Sequence, residues 1–326
     1  MLLEAQPGEL RPAELAEPEP GPGEIGLEIS VCGVCRTDLH LVDGELKGAR
    51  LPLIPGHQIV ARVGSLGSGS ERFDIGDRVG VPWLAWACGE CRYCETGREN
   101  LCPRARFTGY TVNGGYAERT VADERFCFAL PHGLTDLEVS PLLCGGMIGH
   151  RALRIAGDGE RLGLYGFGSS AHIICQIAVG QGRRVFAFTR PGDRDGQDFA
   201  RELGAEWAGE SGQSPPEPLD AAIIFAPVGE LMVTALKASA PGARIVSAGI
   251  HMSDIPSFPY EQLWEERSLH SVANLTRADG DALLSQAAEY GVRTTVAARP
   301  LEQAGAALDD LRAGRVQGSV ALDLTL

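Results

Sequence analysis

The stretch from Cys88 to Cys102, reading CGECRYCETGRENLC, restricts what this chain can fold into more than any other. Cys88, Cys91 and Cys94 fall on one tight loop and Cys102 follows just beyond it, a spacing that lets four thiolates close a tetrahedron around zinc. With all four positions filled by protein, such an ion ties a lobe together and takes no substrate. Disulfides and simply buried thiols are the competing readings. The cysteine count is nine, which is odd, and the rest of the sequence points to a reducing compartment, so metal ligation is favoured.

The compartment follows from what the chain lacks. Its N-terminal stretch, MLLEAQPGELRPAELAEPEPGPGE, is acidic and proline-rich rather than basic then apolar, unlike a signal peptide. No apolar run is long enough to cross a bilayer. A cytoplasmic protein without membrane contact is therefore expected. A formal charge of -14 repels phosphate backbones and argues against a nucleic-acid partner, although a locally positive cleft still admits an anionic cofactor.

At 326 residues the chain is long enough for two domains, each with its own core. Residues 23–32 (GEIGLEISVC) alternate apolar and polar, which predicts a half-buried strand. Several more short strands, punctuated by Gly and Pro, predict a partly closed β-barrel lobe from which the cysteine loop projects. From about Leu142 the texture becomes strand–helix alternation: strands over Arg161–Tyr165, Arg184–Thr189, Leu219–Phe225, Arg244–Ala248 and Leu269–Val272, with helices between. That pattern predicts a Rossmann-type, doubly wound parallel sheet. Past Gly291 the chain returns to β structure, with a terminal strand over Ser319–Leu324 expected to rejoin the first lobe. The fold class is thus α/β, with residues 1–145 and 288–326 forming the β-rich domain and residues 146–287 the dinucleotide-binding one.

Gly166-Phe167-Gly168-Ser169-Ser170-Ala171 follows a strand and opens a helix, the setting in which backbone N–H groups and a helix dipole hold a pyrophosphate. Ala171 fills the third glycine position, which the motif allows. At the end of the next strand, where an acid would bind the ribose of NAD, stand Thr189 and Arg190. A hydroxyl and an arginine suit a 2'-phosphate and favour NADP(H) over NAD(H), while Asp193 and Asp195 nearby keep NAD(H) in play.

Taken in order, the run Cys35-Arg36-Thr37-Asp38-Leu39-His40, Gly56-His57, the zinc loop and the glycine turn make the chain resemble the zinc-dependent medium-chain alcohol dehydrogenases over essentially its whole length. The resemblance implies a GroES-like catalytic domain, two zinc ions per chain, one structural and one catalytic, and a dimer or tetramer. It implies Cys35, His57 and Cys144 as the catalytic zinc ligands, with Asp38 orienting the histidine. Thr37 and His40 match the proton relay, and Arg36 matches a contact to cofactor phosphate. Two thiolates and a neutral imidazole cancel the ion's charge yet leave one position open for an alcohol, aldehyde or ketone. Ala226 and the loop at Gly249 and Ile250 are further cofactor positions, the loop offering backbone to the nicotinamide carboxamide. Trp83 and Trp86 are candidates for walls of an apolar substrate pocket, with plain core packing as the alternative. The chain departs from the family at Gln58, where a glutamate is usual. The expected activity is NAD(P)-linked interconversion of primary or secondary alcohols and their carbonyl counterparts. Its rivals are a zinc-free quinone or enoyl reductase of the same fold and a non-catalytic nucleotide or redox sensor.

Overall fold

A computed structural model describes residues 1–326 and divides them into two compact units. The first comprises Met1–Cys144, Asn274–Ala288 and Thr294–Leu326; the second comprises Gly145–Ala273 and Glu289–Arg293.

The first unit is built on a seven-stranded sheet. Its path runs Val296–Arg299, Ser319–Asp323, Glu24–Val34, Ile59–Leu66, Arg78–Val81 and Phe128–Ala129, with Arg119–Asp123 also paired to Glu24–Val34. All pairings but the first are antiparallel. The alternation in residues 23–32 predicts a half-buried strand, and Glu24–Val34 is one: Ile25, Leu27, Ile29 and Val31 are buried while Glu24, Glu28 and Ser30 on the other face reach solvent. Three strands pair with it, and toward its end, at Cys32, Gly33 and Val34, residues of both faces are buried. Ile25, Leu27, Ile59, Val79, Val81, Tyr116 and Leu322 share one core.

The second unit is an all-parallel sheet of six strands in the order Trp207–Glu210, Arg184–Thr189, Arg161–Tyr165, Leu219–Ile224, Ser239–Ser247 and Ser268–Ser271. The chain builds outward on one side of Arg161–Tyr165, then crosses back to build on the other. That reversal opens a crevice at the carboxyl ends of the strands where ligands bind in such sheets. Short apolar runs bury Tyr165, Phe186, Phe188, Ile224 and Ile245 completely, and helices Ser169–Gly180, Arg194–Glu202 and Glu230–Lys237 supply the crossovers. The Trp207–Glu210 strand and the helices Gly145–Ala156 and Arg277–Glu289 are elements that the sequence pattern does not announce.

The unit boundary between Cys144 and Gly145 lies one residue from the expected one, but residues 274–288 belong to the first unit rather than to the dinucleotide-binding one. The reason is a buried anchor. Thr276 and Asp279 cap the Arg277–Glu289 helix reciprocally, and the Arg277 backbone N–H and Nε both donate to the buried Glu99 carboxylate, at 2.9 and 3.3 Å, beside the cysteine loop. Residues 289–293, expected in the first domain, go to the second, because the Tyr290 ring fills the space a side chain at Gly180 would need and Arg293 exchanges two hydrogen bonds with Gln176.

Arg277→Ala leaves the Glu99 carboxylate buried with only a backbone donor. Thermal or urea unfolding should show the first unit destabilised by about 1–3 kcal/mol; an unchanged midpoint would show that the helix is held by its apolar face alone.

Candidate metal centre and nucleotide site

Register alone brings Cys35 and His57 together. Cys32 pairs with Ile59 in the antiparallel ladder, so the residues beyond that pair, Cys35 on one strand and His57 on the other, leave the sheet at the same end. Cys35 then caps the Arg36–Val42 helix: its sulfur accepts from the Thr37 N–H while the Asp38 carboxylate accepts from the Cys35 N–H at 3.0 Å. Cys144 arrives from a single-turn helix, Ser140–Leu143, whose Leu143 packs where a side chain on Gly80 would otherwise stand.

The three ligand atoms lie close. Cys35 Sγ is 3.3 Å from His57 Nε2 and 3.8 Å from Cys144 Sγ, and His57 Nε2 is 3.3 Å from Cys144 Sγ. A tetrahedral zinc with Zn–S of about 2.3 Å and Zn–N of about 2.0 Å spaces its ligands about 3.5–3.8 Å apart. The cluster fits such an ion, and the chain offers three donors there and not a fourth. Asp38 Oδ1 stands 3.2 Å from His57 Nδ1, both side chains wholly buried, so the ring presents Nε2 to the sulfurs. Cys88, Cys91, Cys94 and Cys102 form the other cluster, with sulfurs 3.6–3.9 Å apart, the edge lengths of a four-thiolate zinc site. All nine cysteines are free thiols, which removes the disulfide reading. The Glu90 backbone N–H and the Arg104 guanidinium draw the Cys88 thiol down to about 6, toward the thiolate that a metal needs. Cys32, Cys127 and Cys175 are buried thiols outside both clusters.

Around the three-ligand cluster the sequence-predicted residues divide. Trp83 sets its edge against the His57 ring at 5.0 Å and is stacked by Phe107 and Tyr110, at 5.4 and 5.5 Å. Trp86 does not join it: its ring carries the Arg106 guanidinium at 4.6 Å and lines a separate groove with Glu118 and Arg119. The pairing of the two tryptophans as pocket walls is therefore corrected: Trp83 packs against His57 just before the short Leu84–Trp86 strand, and Trp86 at its end packs under Arg106. Thr37 and His40 ride the helix that Cys35 caps, and His40 Nδ1 is paired with the Glu45 carboxylate. Glu45 had no signal in the sequence, since it lies past a glycine turn rather than at a helical spacing from His40. Phe107 and Tyr110 were missed likewise, being brought to Trp83 by a loop. Arg36 is exposed at the helix start. Gln58 is buried against Gly33, where a Cβ would come within 2.8 Å of its carboxamide.

In the second unit the expected nucleotide positions lie at the carboxyl ends of the parallel strands. Gly166 has φ +89°, and a Cβ there would meet the Ala226 backbone nitrogen at 2.9 Å, so the turn requires glycine. Gly168 caps the Ser169–Gly180 helix without a side-chain bond and has open space around it; Ser169, Ser170 and Ala171 form the first turn, the end of a helix at which anions bind. The Gly249–Ile250 loop follows the Ser239–Ser247 strand, with Ile250 exposed. Thr189 and Arg190 are separated in role. Thr189 is buried, and its hydroxyl lies among the Arg190, Asp193 and Gly209 carbonyls and the Gln197 amide, whereas the Arg190 side chain is 72% exposed beside Asp193. Arg194, in the first turn of the next helix, is likewise exposed and was not anticipated.

Residues 21–132 match the alcohol dehydrogenase GroES-like domain family. The chain is 48% identical over 314 residues to the probable alcohol dehydrogenase AdhA of Mycobacterium tuberculosis, covering 94% of this chain and 90% of that protein. An alcohol dehydrogenase of Geobacillus stearothermophilus is 34% identical, with 95% and 94% covered. Among solved structures, a cinnamyl alcohol dehydrogenase of Sorghum bicolor superposes with a TM-score of 0.89 at 26% identity, covering 99% of this chain and 96% of that one. The fold, the two cysteine clusters and these relatives together define a class: the chain belongs to the medium-chain, zinc-type alcohol dehydrogenase family. No helix is long and apolar enough to cross a membrane.

His172, in the helix that opens at the glycine turn, carries a separate expectation. Burial lowers its imidazole to about 4, against weaker opposing bonds from the Gly168 and Ser169 backbone. The folded pKa lies below the unfolded one, so the associated stability is complete above about pH 6.5 and is lost as pH falls toward 4. Histidine-ring NMR should show one of the seven histidines staying neutral until about pH 4; titration of all seven near 6.5 would contradict the burial.

Proposed function

We propose that this chain is a zinc-dependent, NAD(P)-linked alcohol dehydrogenase, moving hydride between a primary or secondary alcohol and the nicotinamide, with the aldehyde or ketone as the reverse substrate. The observation that carries the reading is the convergence of Cys35, His57 and Cys144 on one point with zinc-like spacing and no fourth protein ligand. A zinc ion bound there would act as a Lewis acid on a hydroxyl or carbonyl oxygen.

The chain's own residues account for the rest. Two thiols and one neutral imidazole supply the donors, and Asp38 keeps the His57 proton on Nδ1. Trp83, edge-on to His57 and backed by two further aromatic rings, gives the substrate an apolar wall and excludes water. Thr37 and His40 lie on the helix that starts at Cys35 and are suited to carry the alcohol proton outward. Glu45, accepting from His40 Nδ1–H, leaves Nε2 as the basic nitrogen. The Cys88–Cys102 cluster would hold the second, structural zinc.

The first-turn N–H groups at Gly168–Ala171 support pyrophosphate binding, with Ala226 closing the turn, and the Gly249–Ile250 loop would offer backbone to the nicotinamide carboxamide. Exposed Arg190 and Arg194 support a 2'-phosphate and hence NADP(H) over NAD(H), while Arg36 is a further phosphate contact. Exposed Ile250, Ile255, Tyr260 and Trp264 in the second unit support a homodimer or homotetramer.

Zinc content per chain, measured together with initial rates for a panel of alcohols and aldehydes with each cofactor, tests the reading. Two zincs with cofactor-dependent turnover are expected; one zinc without turnover would sink it. Cys35→Ser should lose about one zinc per chain, keep the fold and lose nearly all turnover. Arg190→Ala should weaken NADP(H) about tenfold or more with little effect on NAD(H), in line with the strength of a charge-assisted phosphate contact. Equal losses for both cofactors would remove Arg190 from the 2'-phosphate.

A further inference from the structure

The Arg184–Thr189 strand ends without an acid, yet one stands beside its end. The parallel register sets Thr189 opposite Glu210, the last residue of the Trp207–Glu210 edge strand, and the Ser211 N–H donates to the Thr189 carbonyl at 2.8 Å. Glu210 is thereby placed against the segment that follows Thr189, Arg190-Pro191-Gly192-Asp193.

That segment is a preformed turn. The Asp193 N–H donates to the Arg190 carbonyl at 3.2 Å, Pro191 and Gly192 fill the two central positions, and Gly192 has φ +79°, as a type II turn requires. The Gly192 N–H, which has no partner within such a turn, donates to Glu210 Oε1 at 3.0 Å. Glu210 is in turn fixed by its own N–H, which donates to Gln213 Oε1 at 3.0 Å. A Cβ built on Gly192 would meet nothing within 4 Å, so the tip of the turn stands clear on that side and the Glu210 carboxylate ties it to the sheet. At the other end Asp193 Oδ1 caps the Arg194–Glu202 helix by accepting from the Gly196 N–H at 3.1 Å, and Asp193 Oδ2 lies 3.7 Å from Arg190 Nε.

We propose that Glu210 is a positioning residue for the choice of cofactor: by holding the Gly192 N–H it fixes the turn that presents Arg190, so that the guanidinium is placed before a 2'-phosphate arrives. An arginine side chain that is 72% exposed loses freedom when it binds, and a turn fixed in advance spares the backbone share of that ordering cost. The role uses the acceptor oxygen of Glu210 and not its charge. The inference rests on the reading that Arg190 contacts the 2'-phosphate of NADP(H).

Dissociation constants for NADPH and NADH, read from nicotinamide fluorescence with the zinc-loaded protein, test it. Glu210→Ala should bind NADPH about fivefold more weakly and NADH as the wild type does. Glu210→Gln keeps an acceptor and removes the charge, and should bind NADPH at least as tightly as the wild type. In an Arg190→Ala background Glu210→Ala should add nothing, because Glu210 acts through that side chain. Equal losses for both cofactors in Glu210→Ala, a Gln variant as weak as the Ala variant, or effects at the two positions that simply multiply would overturn the proposal. In the wild type without cofactor the Gly192 amide should exchange slowly with deuterium, and in Glu210→Ala rapidly; exchange in the wild type as fast as that of an unprotected amide would overturn the proposal even if the variants failed to fold. An Arg190→Ala change that weakens both cofactors alike, with Gly192 still protected, would instead sink the 2'-phosphate reading itself.

Discussion

The antiparallel ladder between Glu24–Val34 and Ile59–Leu66 is the constraint on which the first unit depends. Strand register is quantised: a slip of one residue would turn every side chain of a strand to the other face. With Ile25, Leu27 and Ile59 all buried, such a slip would expose core residues, so the register is pinned by the hydrophobic effect. Cys35 and His57 inherit their proximity from it. A precise three-atom cluster is thereby secured by bulk burial, which no weak local interaction would achieve.

The second device is economy at the Arg36–Val42 helix start. Cys35 and Asp38 cap the helix reciprocally while the same sulfur and the same carboxylate face His57. The helix cannot drift without losing its cap, and the ligand geometry cannot relax without unwinding the first turn. This coupling explains why a cysteine, an unusual capping residue, stands where Ser, Thr or Asp would be the ordinary choice.

In the second unit the equivalent constraint is steric. The close approach of Ala226 to Gly166 forbids a side chain at the turn, and the left-handed backbone there directs the following N–H groups outward at Gly168. The parallel sheet contributes the placement: turns that lie far apart in the chain, at Gly166, Thr189, Ala226 and Gly249, are brought to one edge because every crossover returns to the same end.

Features whose chemistry is carried by a few covalently adjacent residues were legible in the chain: the four-cysteine loop, the Cys35 to His40 run, the glycine turn and the alternation of strand and helix. Chain geometry restricts such neighbours so tightly that spacing nearly specifies form. What only the tertiary structure decided involves residues joined by packing over long separations. Glu99 draws residues 274–288 into the first unit, Trp86 turns away from Trp83 toward Arg106, Thr189 folds its hydroxyl inward and leaves Arg190 exposed, and Tyr116 slides beneath Gly56. None of these has a periodicity or a motif, because each is the outcome of which surfaces exclude water together once the whole chain has collapsed.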